Sequence, residues 1–343
     1  MKIASRFFAS IAPLALCIPV WGASGQIMPD LGFDAYLQLL AAKARGEGVS
    51  EPTIQQMMAG LTPNERVIAL DRDQPGTPTR TGYPAVAPYI AKHVDQNRIA
   101  GGRRVLASLG STGSSIERTY GVPLPIVVAI FGHETNYGSY TGDFDLARSL
   151  ATLAWEGRRR DFFEEEFIDL LKIADRGTPR YKLKGSWAGA FGYPQFMPSI
   201  YLRLAKDGDG DGRADIWSSR ADALASIANY FRDAGWRPGQ PWGVTASVPV
   251  GFDWSMVNNT LVSPVCPRVH ERHSKWKTVA EWRRLGVQPL APIGENVMAS
   301  LFQPDGPGKP AYLLTGNYRV ITEYNCSNYY ALSVGLLADE IAR

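Results

Sequence analysis

The run PLPIVVAIFGHETNYGSY, residues 123–140, constrains this chain more than any other segment. Pro123 and Pro125 sit where a helix can begin, and Gly138 offers a place to stop. The run carries one acid, Glu134, the only one between Glu117 and Asp143. In a helix, Val127, Ile130 and Phe131 fall seven, four and three residues before Glu134, on its own face. A carboxyl on an apolar face loses hydration, and desolvation raises its pKa. A carboxylic acid still protonated near neutral pH is what general acid catalysis needs. The same residue can also be read as a helix-end glutamate directed at solvent, and the run alone leaves both readings open.

The chain has 343 residues, 45% hydrophobic and 20% charged, enough for one large domain or two to three small ones. Its 9 Trp and 15 Tyr fill cores, and they also suit stacking on sugar rings. Residues 1–25 have the form of a secretory signal: Lys2 and Arg6, an apolar stretch from Phe7 to Val20, and small residues Ala23-Ser24-Gly25 before Gln26. Leu14-Ala15-Leu16-Cys17 approaches a lipoprotein box, but Leu16 is large where that box wants a small residue. A soluble exported protein is therefore expected rather than one anchored at Cys17. No later segment is long and apolar enough to span a bilayer. Removing 1–25 leaves 34 Lys and Arg against 33 Asp and Glu, a charge of +1 that offers nothing to nucleic acid. Two cysteines remain, Cys266 and Cys326. In an oxidising compartment pairing is the favoured reading, with two separate buried thiols as the alternative.

Helical patterns cover 33–60, 89–93, 103–108, 115–120, 143–175 and 219–235, with a last helix in YYALSVGLLADEIAR. Residues 71–88 are rich in Pro, Gly, Thr and Asp and read as a loop or linker. Glu164, Glu165 and Glu166 read as a solvated helix face, not as a second catalytic acid. From 241 to 321 the texture changes, with the alternation VTASVPV, several prolines, the extended-looking AYLLTGNYRVI and a short helix at TVAEWRRLG. A small β-containing insertion is expected there.

Two segments carry further chemistry. In KGSWAGAFGYPQFMPSIY, residues 184–201, Gly185, Gly189 and Gly192 allow close backbone approach, to the chain itself or to a ligand. Trp187, Phe191, Tyr193 and Phe196 add aromatic surface, while Ser186 and Gln195 add neutral hydrogen-bonding groups. This suits a cleft floor for a polar, uncharged polymer, or equally a tightly packed helix–turn. In DGDGDGRADIW, Asp207, Asp209 and Asp211 stand at positions 1, 3 and 5 of an EF-hand-like loop, with Gly212 at position 6 and Arg213 offering its carbonyl at position 7. Asp215 falls at position 9. Three carboxylates in five residues repel one another unless a cation neutralises them, and hard oxygens on this spacing suit Ca²⁺. Position 12 is Ser218 rather than a bidentate Glu, and Asp222 is the nearest acid that could close a longer loop. A solvated Asp/Gly turn is the alternative. His133-Glu134 fails as a zinc-protease motif because residue 137 is Tyr. Ser139 and Ser186 lack a nucleophile-elbow pattern.

Taken together, GVPLPIVVAIFGHETNYG, LKGSWAGAFGYPQFMPSIY, DGDGDGRADIW with DALASIANYF, and a final YN-x-S-x-x-YA resemble the lytic murein transglycosylase B family, glycoside hydrolase family 103. The similarity runs from about residue 30 to the C-terminus. The resemblance implies Glu134 as the single catalytic acid and Ser186 and Gln195 beside it. It implies further cleft positions at Tyr89, Tyr230, Tyr324, Asn325 and Tyr330. It also implies a calcium loop of Asp207, Asp209, Asp211, the Arg213 carbonyl and Asp222, with Ca²⁺ in a structural role and no organic cofactor. The implied fold is α+β, predominantly α: a lysozyme-like helical core with a flanking helical domain and a small β domain. With the texture of the chain this gives a leader at 1–25, helices at 26–120, a core at 121–240, a β-containing part at 241–316 and a return to the core at 317–343. The implied activity cleaves the β-1,4 bond between N-acetylmuramic acid and N-acetylglucosamine, leaving a 1,6-anhydromuramyl end. Its partner is the peptidoglycan glycan strand in the periplasm, with cell-wall synthesis or remodelling complexes as further partners of an enzyme expected to be monomeric. A hydrolytic muramidase on the same scaffold and a non-catalytic, calcium-stabilised wall-binding protein are the competing readings.

Overall fold

The computed structural model describes residues 31–74, 83–260, 262–263, 265–266 and 269–343. The leader read at 1–25, with Cys17, lies outside the described residues. The helix Leu124–Thr135 sits at the centre. It is buried without a break from Ile126 to Gly132, so it has no solvent face before its last turn and must be enclosed by other helices. Gln96–Ser108, Gly110–Tyr120, Arg220–Asp233, Gly316–Tyr324 and Asn328–Ala342 share one hydrophobic core with it.

A second core joins Phe33–Gly46, Glu51–Met58 and part of Glu65–Arg72 to Leu146–Glu156 and Arg160–Asp175, and takes in Leu183, Phe191 and Phe196. The pattern at 143–175 is thus two helices, separated at Gly157, whose left-handed φ of 92° ends the first. Residues 86–122 contribute to the core of the central helix, while the N-terminal helices pack with residues 146–216.

The region after residue 241 builds a five-stranded antiparallel sheet in the order Lys277–Thr278, Met298–Phe302, Ala311–Leu314, Gly243–Ser247, Gln288–Pro289. The alternation at 243–247 points Val244 and Ala246 inward and Thr245 and Ser247 outward. Trp282, on a short helix closed by a capping box between Thr278 and Glu281, is fully buried against this sheet. The extended reading of AYLLTGNYRVI holds only for its first four residues. Thr315 accepts the amide of Asn317 and starts the helix Gly316–Tyr324 there. Cys266 and Cys326 are bonded. The bridge ties the segment between the strands Gly243–Ser247 and Lys277–Thr278 to the junction between the last two helices.

The solvated-face reading of the Glu164–Glu166 run is corrected. Only Glu165 is exposed. Glu164 accepts from the Tyr36 hydroxyl and pairs with Lys43. Glu166 takes both the amide of Ser199, at 2.9 Å, and its hydroxyl, at 2.6 Å. Burial pushes the Glu166 carboxyl up to about 7. Helical period explains the split: positions 163, 166, 167 and 170 share the inner face, and the polar partners there satisfy the acid.

Candidate active site

The central helix ends at Thr135 because Asn136 adopts a left-handed conformation with φ of 48°. The stop therefore falls two residues before Gly138. Glu134 is thus a helix-end residue, yet it does not face open solvent. The last helix crosses here, and the Tyr330 hydroxyl donates to Glu134 Oε1 at 2.5 Å. Desolvation pushes the Glu134 carboxyl up to about 7, against the opposing pull of the Tyr330 hydrogen bond. Among the described residues no other carboxylate bears on it. Oε2 accepts no hydrogen bond there, so it is the oxygen left to carry the proton.

The residue before it, His133, meets the same last helix. His133 Nδ1 lies 3.0 Å from the Ala129 carbonyl, and Nε2 lies 2.7 Å from the Ser333 hydroxyl. The carbonyl requires the proton on Nδ1, and the Ser333 hydroxyl proton is shared between Nε2 and the Tyr330 carbonyl, which lies 2.8 Å from Oγ. Burial, then Arg98, holds the His133 imidazole down to about 3, so it is neutral. Its ring packs edge-on to Tyr330 at 5.4 Å. Tyr89 stacks on His93 at 3.8 Å, and His93 on His133 at 6.0 Å. The Glu134 charge helps raise the Tyr89 phenol, although burial is the larger cause. Ser333 was not anticipated. The available signal is its position one turn after Tyr330 on the same helix.

Tyr230 and Tyr324 meet at 4.8 Å and pack against Phe196. Their hydroxyls are spent on backbone: Tyr230 donates to the Glu323 carbonyl at 2.8 Å and Tyr324 to the Pro194 carbonyl at 2.6 Å. Tyr324 thereby holds the carbonyl directly before Gln195, and Tyr230 the carbonyl two residues before Asn325. Gln195 holds φ of 53°, a strained position for a side-chain-bearing residue. Its Nε2 donates to the Thr141 and Gly192 carbonyls at 3.1 and 2.8 Å, which fixes the amide and leaves Oε1 as an acceptor. Ser186 Oγ accepts the Ala190 amide at 3.0 Å and keeps its own proton to donate. The glycines between have the predicted use: a Cβ on Gly185 would lie 2.2 Å from the Ala190 carbonyl oxygen.

The structure thus brings Glu134, Tyr330, Tyr324 and Tyr230 together and places Tyr89 beside them through its electrostatic contact. Ser186 is held within its own loop, and no contact with Glu134 accompanies it. Asn325 closes the helix Gly316–Tyr324.

The acidic loop stands apart. One carboxylate oxygen each of Asp207, Asp209 and Asp211 lies within 4.8 Å of the others. Asp207 is braced by the amides of Gly210 and Gly212, the latter with φ of 87°. The Arg213 carbonyl accepts nothing among the described residues. Asp222 lies outside the three-carboxylate group. It is fully buried and accepts the amides of Gly208 and Asp215 at 2.8 and 2.7 Å, so it clamps the loop ends. Asp215 turns back onto the Trp217 and Ser218 amides. Three converging carboxylates and a free carbonyl fit a hard divalent cation.

A half-buried carboxyl held partly protonated near neutral pH, at the end of a helix enclosed by helices, is suited to general acid chemistry. The family model described as "Transglycosylase SLT domain" matches residues 32–339, and the chain belongs to that family. It is 35% identical over 233 residues to membrane-bound lytic murein transglycosylase B of Escherichia coli K12, covering 66% of this chain. The match spans 58% of that relative's length. SltB3 of Pseudomonas aeruginosa, solved in complex with NAG-NAM-pentapeptide, is 38% identical with a TM-score of 0.81, over 93% of this chain and 80% of that one. The Escherichia coli lytic transglycosylase Slt35, solved in complex with calcium, is 28% identical with a TM-score of 0.73, over 90% of this chain and 92% of that one. Predominantly helical architecture with a small sheet is common to the sequence expectation and the fold.

Proposed function

We propose that this protein is a peptidoglycan lytic transglycosylase that cleaves the β-1,4 bond between N-acetylmuramic acid and N-acetylglucosamine. The observation that carries the reading is Glu134: one half-buried carboxyl, raised to about 7 by desolvation, with no second acid adding to that rise among the described residues. Protonated Oε2 donates to the glycosidic oxygen as C1 develops oxocarbenium character. The resulting carboxylate, held by the Tyr330 hydroxyl, then takes the proton of the sugar's own C6 hydroxyl as that oxygen bonds to C1. The product is a 1,6-anhydromuramyl end. Most hydrolases use a second carboxylate to activate water or to attack, and among the described residues no second carboxylate contributes to the raised pKa of Glu134. That SltB3 is also solved in complex with NAG-anhNAM-pentapeptide supports the same product.

Ser186, Gln195, Asn325 and the tyrosines 89, 230, 324 and 330 form the cleft in this reading. Asp207, Asp209, Asp211, the Arg213 carbonyl and Asp222 form a structural Ca²⁺ site in it, with Asp222 as the buried brace. The proposed site of action is the periplasm, on glycan strands, after removal of residues 1–25. The experiment is cleavage and binding of purified peptidoglycan by wild type and Glu134→Gln. Loss of soluble products with retained sedimentation on the wall supports the reading. Undiminished cleavage removes Glu134 from the chemistry, and binding with no cleavage by either protein favours a wall-binding module.

A further inference from the structure

Beyond the cleft, a second cavity of about 530 Å³ opens at the exit of the central helix. Its volume lies within the range of small-molecule sites. Helix Gln96–Ser108 supplies Asn97, Arg104 and Ser108, the turn after Glu134 supplies Asn136 and Ser139, and Arg220 closes it. The wall is fixed by Tyr137. Its ring fills space left by Gly101 and Gly132, where a Cβ on either would lie 2.6 Å from a ring carbon. The Tyr137 hydroxyl donates to the Arg98 carbonyl at 2.6 Å. Holding that ring there requires φ of 48° at Asn136 and 59° at Tyr137. Two successive side-chain-bearing residues in the left-handed region are strained, and such strain gathers at ligand sites. It turns Asn136 and Ser139 toward the cavity.

The charges there are one-sided. Arg104 and Arg220 form no ion pair among the described residues. Arg220 Nη1 donates only to the Ser108 hydroxyl, at 3.3 Å. The nearby Asp95 is occupied in capping its helix through the Asn97 and Arg98 amides. Two guanidiniums without carboxylates, flanked by the Asn97 and Asn136 side-chain amides, match a carboxylate, while the Ser108 and Ser139 hydroxyls are spent on the Val105 and Asn136 carbonyls.

We propose that this cavity binds a carboxylate of the stem peptide borne by the glycan strand, and so selects peptide-bearing over bare glycan. The inference rests on the proposed substrate. Reach permits it: Asn136 lies two residues from Glu134, and an extended peptide spans about 3.3–3.6 Å per residue.

The test is binding of soluble GlcNAc–MurNAc oligomers to the Glu134→Gln protein, with and without tetrapeptide stems, and with stems whose carboxylates are amidated. Turnover by wild type, read separately, reports on the proposed function. The proposal predicts tighter binding of the peptide-bearing oligomer, weakened about tenfold by Arg104→Ala or Arg220→Ala, the worth of one charge-assisted hydrogen bond. Amidation should mimic the substitutions, and the bare oligomer should bind all variants alike. Equal affinity for all three oligomers overturns the proposal, as does weakening of bare and peptide-bearing oligomers alike. Tighter peptide binding that survives both substitutions places the stem elsewhere and overturns it too.

Discussion

Glu134→Gln should stabilise this protein, and only at high pH. The carboxyl is raised from 4.5 to about 7 by desolvation. At pH well below 4.5 both the folded and the unfolded chain hold the proton, and the group contributes nothing to linkage. As pH rises through that value the unfolded chain releases its proton while the folded chain keeps it, so stability falls. The penalty is complete once pH passes about 7. A gap of about 2.5 units at ~1.4 kcal/mol each amounts to about 3 kcal/mol. Glutamine is nearly isosteric, can accept from Tyr330 through its carbonyl, and never ionises. Denaturant unfolding of both proteins at pH 5 and pH 9 should therefore give a small difference at pH 5 and a gain of about 3 kcal/mol for the variant at pH 9. Glu166 titrates in the same window but is common to both proteins, so it cancels. An equal difference at both values, or one favouring wild type as pH rises, would refute the claim that desolvation sets the Glu134 pKa.

Three other outcomes follow from the geometry. Tyr330→Phe removes a donor to the ionised carboxyl, so the fall of kcat with rising pH should move to higher pH than in wild type; a shift to lower pH contradicts the assignment. Gly142→Ala places a Cβ 2.2 Å from the Gly185 carbonyl oxygen at φ of 88°, and should cost more than about 2 kcal/mol while raising KM through the Ser186 loop; unchanged unfolding and KM would contradict that packing. Chelation should lower Tm, and Ca²⁺ at about a hundred times its Kd should restore about 2.7 kcal/mol; no shift on adding Ca²⁺ to stripped protein defeats the metal site.

Much of this was legible in the residues because local chemistry forced it. The apolar run after Pro123 and Pro125 reads as a helix, but whether its one acid faces the interior or solvent was open in the sequence, and the structure stops the helix at Asn136 rather than Gly138. The close glycine contact at Gly185 and the five-residue spacing of three aspartates follow equally from backbone and charge. What lay hidden depends on partners distant in sequence. Glu164 and Glu166 read as solvated because Tyr36, Lys43 and Ser199 come from other elements. Asp222 is a buried clamp because its partners are amides at 208 and 215. Tyr230 and Tyr324 were expected to line a cleft, yet their hydroxyls are committed to backbone carbonyls, which only the packed structure reveals. The pocket of Arg104 and Arg220 joins three elements with no shared motif.

The most direct measurement is mass spectrometry of the muropeptides released from purified peptidoglycan by wild type and Glu134→Gln side by side. The account predicts products one water lighter than their reducing-end counterparts from wild type, and none from the variant. Reducing-end products from wild type would contradict the intramolecular attack and require water to be activated at the cleavage site by another group.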